Sequence, residues 1–349
     1  MPEVQVLRSL FLFLCLGLAA PAGAQSLTAQ QKREIAGAAA TAYADFYVFA
    51  DRGAAIAAHL RREAGRGAFD RIDQPQAFAA ALTAAIRTVQ ADRHLEILPP
   101  RPATSTTATA GPPSRAERLS WIEPLRRRNY DFVRVERLPG NVGYLRLDSF
   151  PPPELAASTA AAAMAFLRHC DAIIIDLREN GGGTGDMVRF LASYFFVEPT
   201  RLSRTFRRDR NPQTSYDMTL PSIPGDRIPI ADIFVLTSNR TISAAEAFAF
   251  ALQQQGRAVV IGETTAGAGN AGDYLDIGHG FRAFVPDVHV SSPVNETSWE
   301  GVGVRPDIAA TSEQGLATAH REALQRLLSA TTDERRRAAL RRAMANPAR

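Results

Sequence analysis

Apolar residues recur with helical spacing through the first part of the chain. Between residues 27 and 90 an alanine-rich stretch follows this period, with breaks at residues 65–67 and 73–75. Asp73 and Pro75 suit the start of a helix, because proline fits the first turn. The pattern predicts a small bundle of three helices, over residues 28–49, 52–64 and 75–90.

After residue 130 the pattern changes to short strand-like runs separated by helical stretches. Residues 131–138 and 142–150 alternate apolar and polar positions around a Pro-Gly-Asn turn, which predicts a β-hairpin. A helix then leads to the apolar strand AIIIDL at 172–177, a glycine-rich turn and another helix. Residues 200–230 are expected to be irregular, and residues 272–308 to carry several short strands. Strands alternating with helices predict an α/β core with a mixed sheet.

The pattern divides the chain into five segments. The first resembles a secretory signal peptide, because an apolar run at residues 10–20 is followed by the cleavage pattern Ala22-Gly23-Ala24. We therefore expect a mature chain that starts at Gln25, is periplasmic or secreted, and has no membrane anchor. The predicted segments are a signal peptide (1–24), a helical N-terminal domain (25–98), a Pro/Thr/Ala-rich linker (99–118), an α/β core (119–312) and basic C-terminal helices (313–349).

Composition narrows the function classes. The 349 residues are 46% hydrophobic with a formal net charge of +4, which fits a globular protein with a large core. The basic clusters are not interleaved with aromatic residues, so no nucleic-acid partner is expected. No HxxxH, HExxH or CxxC spacing occurs, so neither a metal nor another cofactor is expected. Cleavage would leave Cys170 alone, and it is expected to be a buried apolar residue.

One strand–turn–helix segment carries a candidate nucleophile. Residues 234–263 read FVLTSNRTISAAEAFAFALQQQGRAVVIGE, which predicts a helix beginning at Ser243 between two strands. A serine there can be exposed for attack, and the first-turn N–H groups of Ala244 and Ala245 could bind an oxyanion. The pattern Ser243-Ala-Ala-Glu246 also fits a capping box, in which both side chains only satisfy backbone groups. This segment alone leaves both interpretations open.

A second loop and six histidines offer possible partners for the serine. The turn Asn180-Gly-Gly-Gly183 follows a buried strand, but no Gly-Lys-Ser/Thr sequence accompanies it, so nucleotide binding is disfavoured. Its amides could instead supply the other half of an oxyanion hole. Among the histidines, His94 in Asp92-Arg93-His94-Leu95 stands at the boundary of two predicted elements, which suits a catalytic base without establishing one.

Three ordered motifs resemble one peptidase family. IIIDLRENGGG, LTSNRTISAAEAFAFALQQQGRAVVIGETTAGAGN and SWEGVGVRPDI are similar to the carboxyl-terminal processing (tail-specific) serine proteases. Within them, the similarity is to the branch of the tricorn core and the interphotoreceptor retinoid-binding protein repeats. The resemblance implies an α/β, ClpP/crotonase-like mixed-sheet core with an N-terminal helical bundle. It also implies site roles: Ser243 as nucleophile, His94 as base, Glu300 as the acid of the relay, and the amides of Gly182 and Ala244 as oxyanion hole.

The other branch of this family uses a serine–lysine dyad, which this chain cannot form. The matching position is Ala268, and Lys32 in the first helix is the sole lysine of the sequence. Arginine does not replace lysine as a base, since it does not deprotonate. The resemblance therefore directs the base assignment to His94.

Two departures keep a second function open. Arg93 stands where the tricorn-type site has a serine, and residues 99–130 are too short for the peptide-binding domain that often precedes the core. We expect an exported serine peptidase acting on peptides or proteins, with its oligomeric state left open. The alternatives are a catalytically inactive protein that binds apolar ligands or peptides on the same scaffold, and an esterase that uses the same site.

Overall fold

The structure, a computed structural model, describes residues 26–100, 122–208 and 212–348. The predicted signal peptide and most of the predicted linker lie outside the described residues. Within the three described ranges, no helix is both long and apolar enough to cross a lipid bilayer.

The N-terminal part folds into three helices close to the predicted intervals. They are α1 (Ala29–Phe46), α2 (Ala50–Gly65) and α3 (Pro75–Val89). Helices α1 and α2 approach closely at Gly53, where any side chain would collide with the Tyr43 carbonyl oxygen. The buried faces of the bundle form a core with Phe281 and Val285 from the C-terminal half of the chain. The bundle is therefore packed onto the rest of the protein and is not separate from it.

The remaining elements alternate strands with helices, as the sequence predicts. The helices that follow are α4 (Pro153–Leu167), α5 (Gly185–Ala192), α6 (Ala244–Gln254), α7 (Gly315–Ala330) and α8 (Glu334–Ala345). The strands are β1 (Glu96–Leu98), β2 (Phe132–Leu138), β3 (Val142–Leu147), β4 (Ala172–Asp176), β5 (Arg201–Arg207), β6 (Gln213–Met218), β7 (Asp232–Thr237), β8 (Ala258–Gly262), β9 (Ala271–Asp276), β10 (Arg282–Ser291) and β11 (Ile308–Ala309).

The central sheet has six strands in the order β11-β8-β7-β4-β3-β2, parallel except for the β2–β3 hairpin. Ile173 and Ile175 of β4 belong to the apolar core that includes α4, α5 and α6, whereas Ile174 belongs to the core that includes α7 and α8. Successive side chains of a strand point to opposite faces, so covering both faces requires an unbroken apolar strand. This explains the continuous run AIIID. The carboxyl ends of β4 and β7 lead into the loops that carry the glycine-rich turn and Ser243.

A second sheet lies between the bundle and the core. Its order is β1-β10-β5-β6, with β9 also paired to β10. The expectation of an irregular 200–230 segment was wrong, because β5 and β6 form an antiparallel pair there. Most of their side chains are exposed or half-buried, so the strands depend on main-chain pairing and show no apolar alternation.

The expectation of several short strands over residues 272–308 also needs correction. The runs RAFVP (282–286) and DVHVS (287–291) lie in the single strand β10, which continues through Pro286. The register with β9 shifts between Pro286 and Val288, and a bulge is a position where a strand accommodates proline. Strand β10 is long enough to contact both the bundle and the cavity described below.

Candidate active site

Ser243 occupies a strained backbone position between β7 and α6. Its φ is 58° and its ψ is −120°, at the position that precedes the first residue of α6. A positive φ is uncommon for a residue with a side chain and costs about 1–3 kcal/mol. Such strain persists only where the surroundings fix the conformation, and a sharp strand-to-helix turn is how a serine nucleophile is exposed.

Glu246 fixes this turn from inside the protein. Its completely buried carboxylate accepts the Ser243 N–H at 2.8 Å, the Gly267 N–H at 2.6 Å and the Ala268 N–H at 2.9 Å. The Thr265 hydroxyl donates a further hydrogen bond to it. The Glu246 half of the predicted capping box is thus present, whereas Ser243 Oγ caps no backbone N–H among the described hydrogen bonds. Glu246 joins the Ser243 turn to the 265–268 loop, so the capping and nucleophile interpretations are compatible.

Gly182 lies directly against Ser243. Its φ is +94°, and a Cβ built on it would be 2.9 Å from the Ser243 Cβ and 3.4 Å from the Ser243 Oγ. The Gly182 N–H, predicted as an oxyanion donor, donates to Asn180 Oδ1 at 2.9 Å. It would therefore have to share or exchange this acceptor in order to bind an oxyanion.

The first-turn amides of α6 differ in availability. The Ala245 N–H donates to the Ile242 carbonyl at 3.2 Å, so it is already engaged. In the described parts of the chain, the Ala244 N–H has no acceptor among the loop, turn and side-chain hydrogen bonds. Of these two amides, Ala244 is the one free to receive a developing negative charge next to Ser243.

His94 lies on the loop between α3 and β1. Its side chain is 17% exposed and its ring stacks on Phe284 with centroids 5.6 Å apart. The loop is held by Arg87, which donates to the carbonyls of Leu95 and Arg93 at 2.9 and 3.0 Å. Burial lowers the pKa of His94, and the charge of Asp92 opposes that shift. His94 is thus neutral, and able to accept a proton, over a wider pH range than a free imidazole.

Glu300 lies close to His94, on the loop before β11. Its Oε2 accepts the N–H groups of Gly269 at 2.6 Å and Asn270 at 2.9 Å. Its Oε1 is buried without a hydrogen-bond partner. Burial, and next the charge of Asp92, raise the pKa of Glu300 to about 7, although the two backbone N–H groups oppose the shift.

Asp92 completes this cluster and was not assigned from the sequence. Ligand-type atoms of Asp92, His94 and Glu300 all lie within 4.8 Å of one another. Three such atoms at this distance are also compatible with a metal ion, although the sequence contains no metal-binding spacing. The Asp-x-His spacing of residues 92–94 is the one sequence signal that pointed to Asp92.

The Ser243 turn and the carboxylate–histidine cluster are neighbours. Ile242 lines one cavity together with Asp92 and Arg93, and Ser243 lines another with Gly269 and Asn270. The charge of Glu246 acts on the pKa values of both His94 and Glu300. Among the described side chains, no hydrogen bond joins Ser243 Oγ to His94. Catalytic hydrogen bonds in unliganded sites are often long, so this leaves the proposed pairing open.

A cavity of about 350 Å³ opens beside Ser243. Its walls are mostly apolar, and Arg189, Arg207 and Asp217 supply charged groups. Apolar walls with a few polar groups are typical of ligand sites. The apolar lining residues include Val188, Leu202, Ala247, Val288 and Trp299.

Lysine plays no part in this site. Ala268 occupies the position that the dyad branch would use, and its N–H donates to Glu246. Lys32 lies in α1, where its ammonium is 2.6 Å from both Asp73 Oδ1 and the Asp70 carbonyl oxygen. The exclusion of a serine–lysine dyad therefore agrees with the structure.

Two family models match the chain. The model of peptidase family S41 matches residues 141–310, and that of the N-terminal domain of peptidase S41 in eukaryotic interphotoreceptor retinoid-binding protein matches residues 25–124. The chain belongs to peptidase family S41. The family predicted from the three motifs is thereby confirmed.

Known relatives support the same family and fold. A carboxy-terminal-processing protease of Bartonella bacilliformis is 29% identical over 188 residues, covering 51% of this chain and 42% of the relative. The chain therefore spans less than half the length of that curated relative.

Solved structures show the fold. A lipoprotein from Streptococcus agalactiae aligns with a TM-score of 0.55 at 16% identity, over 84% of this chain and 96% of that chain. The photosystem II D1 C-terminal processing protease aligns with a TM-score of 0.50 at 15% identity, over 81% of this chain and 93% of that chain. The predicted mixed α/β core with a helical N-terminal region is confirmed.

Proposed function

We propose that this S41 chain is an exported serine peptidase in which Ser243 attacks a peptide carbonyl. The observation that carries the proposal is the strained turn at Ser243, which Glu246 holds beside an apolar cavity of about 350 Å³. A capping serine needs no positive φ, because helix caps ordinarily adopt extended backbone angles. The strained angle is therefore explained by exposure of the hydroxyl.

In the proposed reaction His94 acts as general base and then as general acid. Its Nδ1 lies on the side of Asp92, 3.8 Å from Oδ1, which leaves Nε2 for the Ser243 hydroxyl. Nε2 takes the hydroxyl proton as Oγ bonds to the carbonyl carbon, and it later protonates the leaving amine. The Ala244 N–H, together with the Gly182 amide once that amide is released from Asn180, binds the tetrahedral oxyanion. Water then hydrolyses the acyl-enzyme by the same steps.

The proposed substrates are peptides or proteins bound in the cavity, and the proposed location is the periplasm or the medium. Location is tested by finding a mature protein that begins at Gln25. The activity is tested with this mature chain and a fluorophosphonate probe, alongside casein hydrolysis. We expect labelling and hydrolysis to vanish in Ser243→Ala and in His94→Ala. Ser203→Ala is the matched control, because Ser203 lines the same cavity without lying on the turn.

A second candidate is a non-catalytic binder of apolar ligands or peptides. It is favoured by the apolar cavity and by the missing hydrogen bond between Ser243 Oγ and His94. A folded wild type that binds such ligands, resists the probe, and binds equally well after Ser243→Ala would support this candidate and reject the peptidase. Faster turnover of esters than of matched peptides would instead indicate an esterase.

A further inference from the structure

Asp92 is a completely buried carboxylate two positions before His94. Its Oδ1 accepts the backbone N–H of His94 at 2.9 Å. Its Oδ2 accepts the Tyr47 hydroxyl at 3.1 Å and Asn270 Nδ2 at 3.0 Å. In the described ranges, its one possible ion-pair partner is the His94 ring, whose buried Nδ1 lies 3.8 Å from Oδ1 and has no hydrogen-bond partner. A buried charge is stable only where donors surround it, and Asp92 has such a shell.

Asn270 links Asp92 to Glu300. Its side-chain Oδ1 contacts His289 Nδ1 at 2.9 Å, so its Nδ2 is directed to Asp92. Its backbone N–H donates to Glu300 Oε2 at 2.9 Å. One residue thus holds both carboxylates near His94, and no arginine or lysine of the described residues pairs with either of them.

The two carboxyl groups are not equivalent. Carboxylates that share a buried site do not readily carry charge together, and the group with fewer donors keeps the proton. Glu300 has no donor on Oε1, whereas both oxygens of Asp92 accept hydrogen bonds. Burial and the charge of Asp92 also raise the pKa of Glu300 to about 7. Glu300 therefore keeps its proton to a higher pH than an ordinary glutamate does.

Residue 93 cannot relay a proton between His94 and an acid. The resemblance implies a serine at this position, but the chain has Arg93, whose side chain accepts no hydrogen bond. We propose that Asp92 is the positioning residue of His94, orienting its ring and favouring the tautomer with the proton on Nδ1. The inference rests on the proposed peptidase function and deepens it.

The test measures His94 directly by nuclear magnetic resonance. The mature chain would carry Ser243→Ala and Glu300→Gln, so that neither catalysis nor Glu300 ionisation contributes. The other charges facing His94 are Glu246 of α6 and Glu96 of β1. We expect Asp92→Asn to lower the pKa of His94 by about one unit or more, because an opposite charge within ~4–6 Å shifts a pKa by roughly 1–3 units. The fraction of the Nδ1–H tautomer should fall too.

Glu96→Gln is the matched control, since it removes another carboxylate near His94, and its effect should be smaller. If Asp92→Asn does not fold, a double variant that carries both Asp92→Asn and Asn270→Asp takes its place. This exchange keeps the negative charge and the hydrogen bond between the two side chains, but it moves the carboxylate away from His94. It should also lower the pKa of His94. The inference would be overturned if the pKa and the tautomer of His94 were unchanged in the folded Asp92 variant. It would also be overturned if they changed no more than they do in Glu96→Gln. This readout needs no activity, so failure of the peptidase proposal is seen separately as absence of probe labelling.

Discussion

The contact between Gly182 and Ser243 gives the sharpest test of the proposed nucleophile. In Gly182→Ala the new Cβ would lie 2.9 Å from the Ser243 Cβ and 3.1 Å from the Ile242 carbonyl oxygen. Real contacts are longer, so Ser243 would have to move by several tenths of an ångström. The φ of +94° adds about 1–2 kcal/mol of strain for a residue with a side chain. Because a misplacement of ~1 Å costs about 10²-fold, a shift of several tenths of an ångström should lower kcat/KM and the labelling rate by about tenfold.

The neighbouring Gly181 provides the control. A Cβ at Gly181 meets no atom within 4 Å, so Gly181→Ala should keep its labelling rate within about twofold. Thermal unfolding would be followed for both variants, because 1–2 kcal/mol lowers Tm by only about 2–8 °C in a domain of this size. If Gly182→Ala is labelled at the wild-type rate, or Gly181→Ala loses as much activity, Ser243 is not the group that the substrate meets.

Four further outcomes follow from the same structure. Because burial lowers the pKa of His94, the acid limb of the kcat/KM profile should lie below pH 6.5, and an acid limb centred above pH 6.5 would contradict His94 as the base. The pKa of Glu300 is raised from 4.5 to about 7, so the folded state holds this proton more tightly than the unfolded state does. The resulting stabilisation of the fold is complete below pH 4.5, and up to about 3 kcal/mol of it is lost as the pH rises to 7. Denaturant titrations at both pH values should show that Glu300→Gln removes this loss. Lys32→Met breaks the ion pair with Asp73 and should lower Tm while probe labelling per folded molecule is retained. Activity should survive EDTA, since no proposed step uses a metal, and loss restored by added Zn²⁺ would contradict this.

Sequence reasoning succeeds here where the determining contacts are local. The turn at Ser243 could be predicted because strand, cap and helix follow one another within about twenty residues. The roles of His94 and Glu300 came only from resemblance to the family. Asp92 was missed because its partners are distant, Asn270 being 178 positions away. Strands β5 and β6 were missed because neither has a clear apolar face.

The proposed site exists only where the helical bundle and the α/β core meet. The core supplies the Ser243 turn and Glu300, whereas the loop that follows the bundle supplies Asp92 and His94. Tyr47 from the bundle and Asn270 from the core both bind Asp92, so the position of His94 depends on contacts from both sides. A core without the bundle would keep a strained serine but lose its base. Retention of the N-terminal helices is therefore a requirement of the proposed chemistry as well as of the fold.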